Sequence, residues 1–177
     1  MASMGRIEGL IRDVPDFPEP GIVYKDITPL LADPDGFDEA VHSMAEPWAE
    51  QGIDAIIGIE ARGFLFGATV ARQLGIGFVP VRKPGKLPHH TSSIDYGLEY
   101  GTDTLEIHTD ALAPGRRTVI VDDVLATGGT AAAAAELVSR HDAVVAGFGF
   151  LLELAFLDGR SKLGDHRIES LVTIGAS

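Results

Sequence analysis

Short apolar runs alternate along the chain with stretches in which apolar side chains recur every three or four residues. The runs are typical of buried strands, and they occupy residues 54–59, 77–82, 118–122, 143–152 and 171–174. The periodic stretches predict helices over residues 34–48, 64–74 and 128–140. This alternation favours an α/β fold, an open and mostly parallel twisted sheet flanked by helices on both faces. In such sheets ligands bind beyond the carboxyl ends of the strands.

Prolines and glycines mark where the predicted helices begin and end. The first helix should open at Asp33 and Pro34, because proline suits the first turn of a helix. Pro47 should kink or end it, and Gly75 should end the next helix.

An irregular stretch that is rich in proline, histidine and serine runs from Lys83 to about Asp95. It is too long for a tight turn, so we expect a lid or a binding loop there. Residues 104–109 then alternate between apolar and polar side chains, which predicts a strand with one exposed face.

Composition narrows the class of protein. A chain of 177 residues with 45% hydrophobic and 23% charged residues fits one globular domain spanning 1–177. No apolar stretch is long enough for a membrane helix, and residues 1–6 do not resemble a secretory signal. The absence of cysteine excludes disulfides, thiolate catalysis and cysteine-based metal sites, and it fits a reducing compartment. We therefore expect a cytoplasmic protein.

The net charge of −12 changes the list of possible partners. Such a surface repels phosphate backbones and anionic lipids, so we expect neither nucleic acid nor a membrane as a partner. The basic residues matter where they cluster, and Arg82, Lys83 and Lys86 cluster around the start of the irregular stretch.

The strongest chemical signal follows the strand predicted at residues 118–122. Two carboxylates, Asp122 and Asp123, precede a segment of small residues that opens a helix. We call this segment the phosphate loop, and it consists of Ala126, Thr127, Gly128, Gly129 and Thr130. Its N–H groups can converge on one phosphate, supported by about half a positive charge from the helix dipole. The segment has neither the lysine of a P-loop nor the glycine spacing of a dinucleotide fingerprint.

The paired aspartates indicate what accompanies the phosphate. Carboxylates would repel a phosphate unless they faced something else, and sugar hydroxyls and Mg²⁺ are natural recipients. Sugar and phosphate together suggest a ribose 5-phosphate group. The alternative is a tight strand–helix turn in which an aspartate caps the helix, but capping explains only one of the two.

Residues 119–130 resemble the 5-phosphoribosyl diphosphate (PRPP) motif of the type I phosphoribosyltransferases. Segments 15–29, 59–64, 82–88 and 96–101 narrow the resemblance to the adenine-using members. The resemblance implies a Mg²⁺-dependent purine salvage enzyme that converts adenine and PRPP into AMP and diphosphate through an oxocarbenium-like transition state. It also implies a homodimer, a small N-terminal base-binding hood at residues 1–35 and a flexible lid loop at residues 83–100.

The same resemblance implies roles for individual residues. Glu99 would be the catalytic acidic residue that handles the proton of the purine, with Arg62 as a second catalytic group. The diphosphate would be bound by Glu60, Ala61, Arg62 and Gly63, assisted by Arg82, Lys83 and Lys86. The base would be bound by Val23, Tyr24 and the backbone of Lys25, with Leu125 as the opposite wall. Each role has a plain alternative: a solvated basic patch, a core aromatic for Tyr24, and an exposed strand glutamate for Glu99.

Ala126 bears on the choice of base. Relatives that use 6-oxopurines commonly carry an aspartate at this loop position, and the methyl group here fits adenine. Three rival hypotheses remain: a transferase for another base such as xanthine or a pyrimidine, a PRPP-sensing regulator without activity, and a nucleotide-binding protein of unrelated chemistry. Arg62, Glu99 and the basic cluster favour an enzyme.

Overall fold

The structure is a computed structural model that describes residues 2–97 and 101–175, with only the backbone for residues 2–4. The helices are α1 (Ala2–Gly9), α2 (Thr28–Ala32), α3 (Pro34–Ala45), α4 (Gly63–Leu74) and α5 (Gly129–Ser139). The strands are β1 (Arg12–Pro15), β2 (Val23–Asp26), β3 (Ala55–Ile59), β4 (Gly77–Val81), β5 (Thr91–Gly97), β6 (Thr102–His108), β7 (Arg117–Leu125), β8 (Val144–Leu154) and β9 (Arg167–Ile174). Three short 3-10 turns cover Glu46–Trp48, Ala155–Leu157 and Gly159–Leu163.

Five of the strands form one parallel sheet in the order β4-β3-β7-β8-β9, which confirms the predicted fold class. The chain runs outward from β3 to β4 and then returns to β7 on the other side of β3. The order of the strands therefore reverses between β3 and β7, and a crevice opens at the carboxyl ends of these two strands. This crevice places the turn after β3 beside the aspartates of β7.

Both faces of the sheet are covered, as the sequence predicts. One face packs against α1, α3 and α4, where Phe66 and Trp48 are almost completely buried. The other face packs against α5 and against a ribbon formed by β5 and β6. Successive residues of β3 serve opposite faces, because Ile56 belongs to the first core and Ile57 to the second. Burying an aromatic or aliphatic side chain of this kind stabilises the fold by about 1.5–3 kcal/mol.

The predicted ends of the helices are confirmed. The Asp33 side chain accepts a hydrogen bond of 2.7 Å from the Gly36 N–H, which caps α3 with Pro34 in its first turn. Pro47 lies in the 3-10 turn that follows α3. Gly75 ends α4 in the left-handed conformation, with φ of +70°.

The prediction of an irregular stretch up to Asp95 is wrong in its second half. Residues 91–97 form β5, which pairs antiparallel with β6. Ile94 lies opposite Leu105, and both side chains are buried against the core below α5. Serines and an aspartate separate the few apolar residues of β5, so the segment carries too weak an apolar signal to be assigned from sequence.

Among the described residues, no helix is both long enough and apolar enough to span a membrane. Three elements that precede α3 were not predicted from the sequence: α1, β1 and α2. β1 and β2 pair as a separate two-stranded sheet, with Val14 opposite Tyr24.

Candidate active site

A cavity of about 500 Å³ lies at the carboxyl ends of β3 and β7, where the strand order reverses. Its walls come from β2, from the turn after β3, from β7, from the phosphate loop and from the end of β8. The lining residues are Ile22, Val23, Tyr24, Lys25, Glu60, Ala61, Arg62, Lys83, Asp122, Asp123, Val124, Ala126, Thr130 and Leu154. Most of the residues that the sequence analysis selected therefore surround one space.

Arg62 lines this cavity and contacts both Tyr24 and Asp123. Its Nη1 donates a short hydrogen bond to the Tyr24 hydroxyl, and its Cζ lies 5.2 Å from the centroid of the Tyr24 ring. Its Nε lies 2.7 Å from Asp123 Oδ2. That second contact is an ion pair without hydrogen-bond geometry, so Asp123 Oδ2 has no hydrogen-bond donor among the described side chains and backbone groups.

Both aspartates have a raised pKa. Burial, followed by the repulsion of the neighbouring Asp123 charge, raises the pKa of Asp122 well above its ordinary value. Burial also raises the pKa of Asp123, although the Arg62 guanidinium opposes this shift. The Asp123 N–H donates a 2.9 Å hydrogen bond to Asp122 Oδ1. Two desolvated carboxylates side by side would gain from a cation or from hydroxyl donors.

The phosphate loop lines a second, smaller cavity of about 80 Å³ between β7 and the start of α5. Within the described parts of the chain, the N–H groups of Ala126, Thr127 and Gly128 donate to no other residue. Gly128 adopts φ of +78°, a left-handed conformation that favours glycine, and the helix begins at the next residue. Free amides ahead of a helix N-terminus are suited to an anion.

Three of the cationic residues that were predicted to bind diphosphate are paired with carboxylates. Arg62 pairs with Asp123, Arg82 Nε lies 2.5 Å from Glu60 Oε2, and Lys83 Nζ contacts an Asp103 carboxylate oxygen. Burial would lower the pKa of Lys83, but hydrogen bonds to Asp103 and Tyr96 outweigh it and raise the pKa. The Lys86 carbonyl accepts a 3.1 Å hydrogen bond from Arg82. Only Arg62 and Lys83 of these cations line the larger cavity.

On the other side of Arg62 from Asp123, Tyr24 packs edge-on against Phe17, with ring centroids 5.2 Å apart. It is therefore not a core aromatic, because it lines the cavity and bonds to Arg62. The Lys25 ammonium lies 2.6 Å from Asp13 Oδ1, and Lys25 also lines the cavity.

Leu125 does not lie where the sequence analysis expected it. Its side chain is buried in the core below α5 and lines only the smaller cavity. Val124 and Leu154 line the larger cavity instead. Adjacent residues of a strand point to opposite faces, so Leu125 points away from the face that Val124 presents. Leu154 belongs to β8, and nothing in its local sequence separates it from the other apolar residues of that strand.

Gly63 allows the turn after β3 to approach the aspartates closely. A Cβ atom at this position would lie 2.7 Å from Asp122 Oδ1 and 3.0 Å from the Val121 carbonyl oxygen. Real Cβ atoms do not approach so closely, so glycine is required for α4 to begin against β7. Glu99, the predicted catalytic acid, lies outside the described residues.

Comparisons with known proteins identify the family of this chain. A family model described as the phosphoribosyl transferase domain matches residues 31–172. An adenine phosphoribosyltransferase from Nitrosococcus oceani is 56% identical over 96% of this chain and 99% of its own length. The chain belongs to the adenine phosphoribosyltransferase family.

Solved structures of adenine phosphoribosyltransferases have the same fold. The protein from Thermoanaerobacter pseudethanolicus superposes with a TM-score of 0.94 at 53% identity, covering 97% of this chain and 99% of the other. The protein from Saccharomyces cerevisiae, solved with an imino-altritol bisphosphate and adenine, superposes with a TM-score of 0.91 at 42% identity, covering 96% and 98%. The family resemblance inferred from the sequence is therefore confirmed.

In the described residues, no group of three or more histidine, aspartate or glutamate side chains could hold a metal ion by itself. Asp122 and Asp123 nevertheless offer hard oxygen ligands at the cavity wall, and Asp123 Oδ2 lacks a hydrogen-bond donor among the described groups. Two carboxylates fit Mg²⁺ when substrate oxygens supply further ligands.

Proposed function

We propose that this enzyme transfers the 5-phosphoribosyl group of PRPP to adenine and releases AMP and diphosphate, a purine salvage reaction. The observation that carries the proposal is that three kinds of surface meet at the β3–β7 crevice. The cavity of about 500 Å³ presents Tyr24 and the carboxylates of Asp122 and Asp123, and the adjoining smaller cavity presents the free amides of the phosphate loop. A base, a ribose and a phosphate need surfaces of these three kinds.

The phosphate loop would bind the 5-phosphate of the ribose. Backbone amides of residues 126–130 are available, the N-terminus of α5 contributes its dipole, and Thr127 and Thr130 add hydroxyl groups. These groups fix one end of the substrate and therefore set the position of its anomeric carbon.

Asp122 and Asp123 would accept hydrogen bonds from the ribose hydroxyls and hold Mg²⁺ with the substrate. When bound, Mg²⁺ supplies charge neutralisation for the diphosphate leaving group. Hydroxyl donors and a cation would also offset the burial that raises the pKa of both carboxyls. Binding the substrate would therefore stabilise the two carboxylates in their ionised form.

The diphosphate would be bound by the turn at Glu60, Ala61, Arg62 and Gly63, with help from Arg82, Lys83 and Lys86. As the bond from the anomeric carbon to the diphosphate oxygen breaks, negative charge grows on the leaving group and positive charge on the ribose. Guanidinium groups stabilise the first charge. Since Arg62 and Lys83 are paired with carboxylates, diphosphate binding would exchange those pairs for contacts with phosphate oxygens.

Adenine would lie between Tyr24 and Val23 on one side and Val124 and Leu154 on the other. Flat apolar walls suit the faces of a purine, and the backbone of Lys25 can contact its edge. As N9 forms its bond to the anomeric carbon, the imidazole edge of the base loses a proton. Glu99 would accept it, and Ala126 leaves space where 6-oxopurine relatives carry a carboxylate.

We further propose that the chain forms one domain over residues 1–177 and works as a homodimer in the cytoplasm. Residues 1–35 would act as a hood over the base, and residues 83–100 as a flexible lid that excludes water during the reaction. Two observations support the hood and the compartment: Val23 and Tyr24 line the cavity, and the sequence contains no cysteine.

The decisive experiment measures diphosphate release from PRPP and Mg²⁺ with adenine, hypoxanthine, guanine, xanthine or uracil supplied separately. We expect release with adenine alone, accompanied by AMP, and loss of release when EDTA removes Mg²⁺. Arg62→Met should depress turnover strongly, whereas Arg72→Met, an exposed arginine near the other end of α4, should not. Release with another base, or with none, would contradict the proposal.

A further inference from the structure

The 3-10 turn at Gly159–Leu163 packs directly on the phosphate loop. A Cβ atom on Gly128 would lie 2.3 Å from the Gly159 carbonyl oxygen, and one on Gly159 would lie 2.2 Å from the Ala126 carbonyl oxygen. These distances leave no room for a side chain between the two backbones. The position of this turn therefore limits where the phosphate loop can lie.

An ion pair between the exposed Arg160 and the buried Glu153 fixes the same turn to the sheet. Arg160 Nε and Nη2 donate to the two carboxylate oxygens of Glu153, each at 2.6 Å. Glu153 is only 5% exposed and stands in β8 directly opposite Leu125, the last residue of β7 before the phosphate loop. A bidentate guanidinium–carboxylate pair fixes orientation as well as distance. The hydrogen bonds from Arg160 also lower the pKa of Glu153, so the pair is ionised at neutral pH.

The far end of the turn is anchored separately. Leu163 is 3% exposed and belongs to the core below α5. The turn is thus held at Arg160 by the end of β8 and at Leu163 by the core, while Gly159 faces the phosphate loop. Glu153 and Arg160 line neither of the two cavities of the active site. An ion pair is also a weak source of stability compared with apolar packing, so the geometry of this pair is its more informative property.

We propose that Gly159 and the Glu153–Arg160 pair form a brace that positions the phosphate loop for the 5-phosphate of the substrate. This inference rests on the proposed function, because it assigns the phosphate loop to ribose 5-phosphate. The three residues are positioning residues, since they act through the backbone of Ala126 and Gly128 and do not touch the substrate.

The test compares the binding of two ligands that occupy different ends of the site, ribose 5-phosphate and diphosphate, by calorimetry. In Glu153→Gln, Arg160→Met and the double variant, the Kd for ribose 5-phosphate should rise roughly ten- to one-hundredfold, the effect of a displaced binding group. The Kd for diphosphate should not change, and the KM for PRPP should rise much more than the KM for adenine. Arg160→Lys keeps the charge but loses the bidentate hydrogen bonding of the guanidinium, so its increase in Kd should be intermediate.

Two controls distinguish a specific loss of binding from a loss of folding. Arg160→Met alone leaves a buried unpaired carboxylate and could unfold the protein, whereas the double variant leaves no unpaired charge. The double variant should therefore keep the melting temperature close to that of the wild type while it loses affinity for ribose 5-phosphate. The exposed Glu136–Arg140 pair near the end of α5 supplies a matched control, since Glu136→Gln should change neither Kd.

Unchanged affinity of the double variant for ribose 5-phosphate would overturn the brace. A similar loss of affinity for ribose 5-phosphate and diphosphate, together with a lower melting temperature, would also overturn it. Such a result would show that the ion pair supports the whole fold rather than the phosphate loop. Failure of the proposed function has a different signature. In that case the wild type would not bind ribose 5-phosphate, or Thr127→Val in the loop itself would leave its binding unchanged.

Discussion

Replacing Gly128 with alanine should destabilise the protein through two separable costs. Gly128 has φ of +78°, and an alanine in that conformation costs about 1–2 kcal/mol. The added Cβ would also lie 2.3 Å from the Gly159 carbonyl oxygen, which is backbone and cannot rotate away. Overpacking of this kind costs about 1–3 kcal/mol, so we expect a total loss of about 2–5 kcal/mol.

Two other glycines separate these costs. Gly115 has the same φ of +78°, but a Cβ there would meet nothing within 4 Å. Gly115→Ala should therefore show the conformational cost alone, about 1–2 kcal/mol. Gly129 follows Gly128 in the chain, lacks a positive φ, and its nearest Cβ contact is an ordinary 3.4 Å. Gly129→Ala should be neutral or stabilising by up to about 1 kcal/mol, because alanine favours a helix.

Urea unfolding of the three variants at equal protein concentration measures these differences, provided that the dependence on urea concentration keeps the wild-type slope. We expect Gly128→Ala to lose the most stability, Gly115→Ala less and Gly129→Ala none. Ribose 5-phosphate should also bind less tightly to Gly128→Ala than to Gly115→Ala. Equal losses of stability in Gly128→Ala and Gly115→Ala would refute the argument, because the contact with Gly159 would then impose no constraint.

Three further predictions concern the carboxylates and the phosphate loop. Glu99→Gln should reduce kcat by about 10²–10⁴-fold with little effect on the unfolding midpoint, and a near-normal rate would remove its catalytic role. Folding raises the pKa of Asp122, so wild-type stability falls as pH rises above the ordinary pKa of 3.8, and Asp122→Asn should be less active but more stable than the wild type at pH 7. This gain in stability should shrink as pH falls towards 3.8. Urea titrations at several pH values measure it, and a difference that does not depend on pH would contradict the prediction. Folding lowers the pKa of Glu153, so the ionised Glu153 stabilises the protein above pH 4.5, and this effect is lost as pH falls through the folded-state pKa. The difference in unfolding free energy between the wild type and Glu153→Gln should therefore narrow below pH 4.5. A difference that widens there would contradict the prediction.

The parallel sheet was predictable because each central strand contains a run of apolar residues and the helices between the strands have clear ends. Asp33 with Pro34, and Gly75, mark such ends through local chemistry. β5 was not predictable, because it is stabilised by pairing with β6 and by the burial of Ile94 rather than by its own composition. Strand pairing depends on a partner that lies elsewhere in the sequence.

The residues of the candidate site were also only partly predictable from the sequence. Asp122, Asp123 and the phosphate loop are consecutive in sequence, so their chemistry can be recognised before any fold is known. Leu154 and Gly159 act from segments that are distant in sequence, and only the fold brings them to the cavity and to the loop. Leu125 and Val124 differ only in which face of β7 they occupy, which the apolar run cannot reveal.

A crystal structure of the protein with AMP would test most directly whether residues 122–130 bind the ribose 5-phosphate group. We expect the phosphate oxygens within about 3.2 Å of the amide nitrogens of the phosphate loop, and the ribose hydroxyls at the same distance from Asp122 and Asp123. The adenine ring should lie between Tyr24 and Leu154. A nucleotide whose phosphate lies at Arg82 and Lys86, or anywhere outside the phosphate loop, would contradict the proposed function and the brace together.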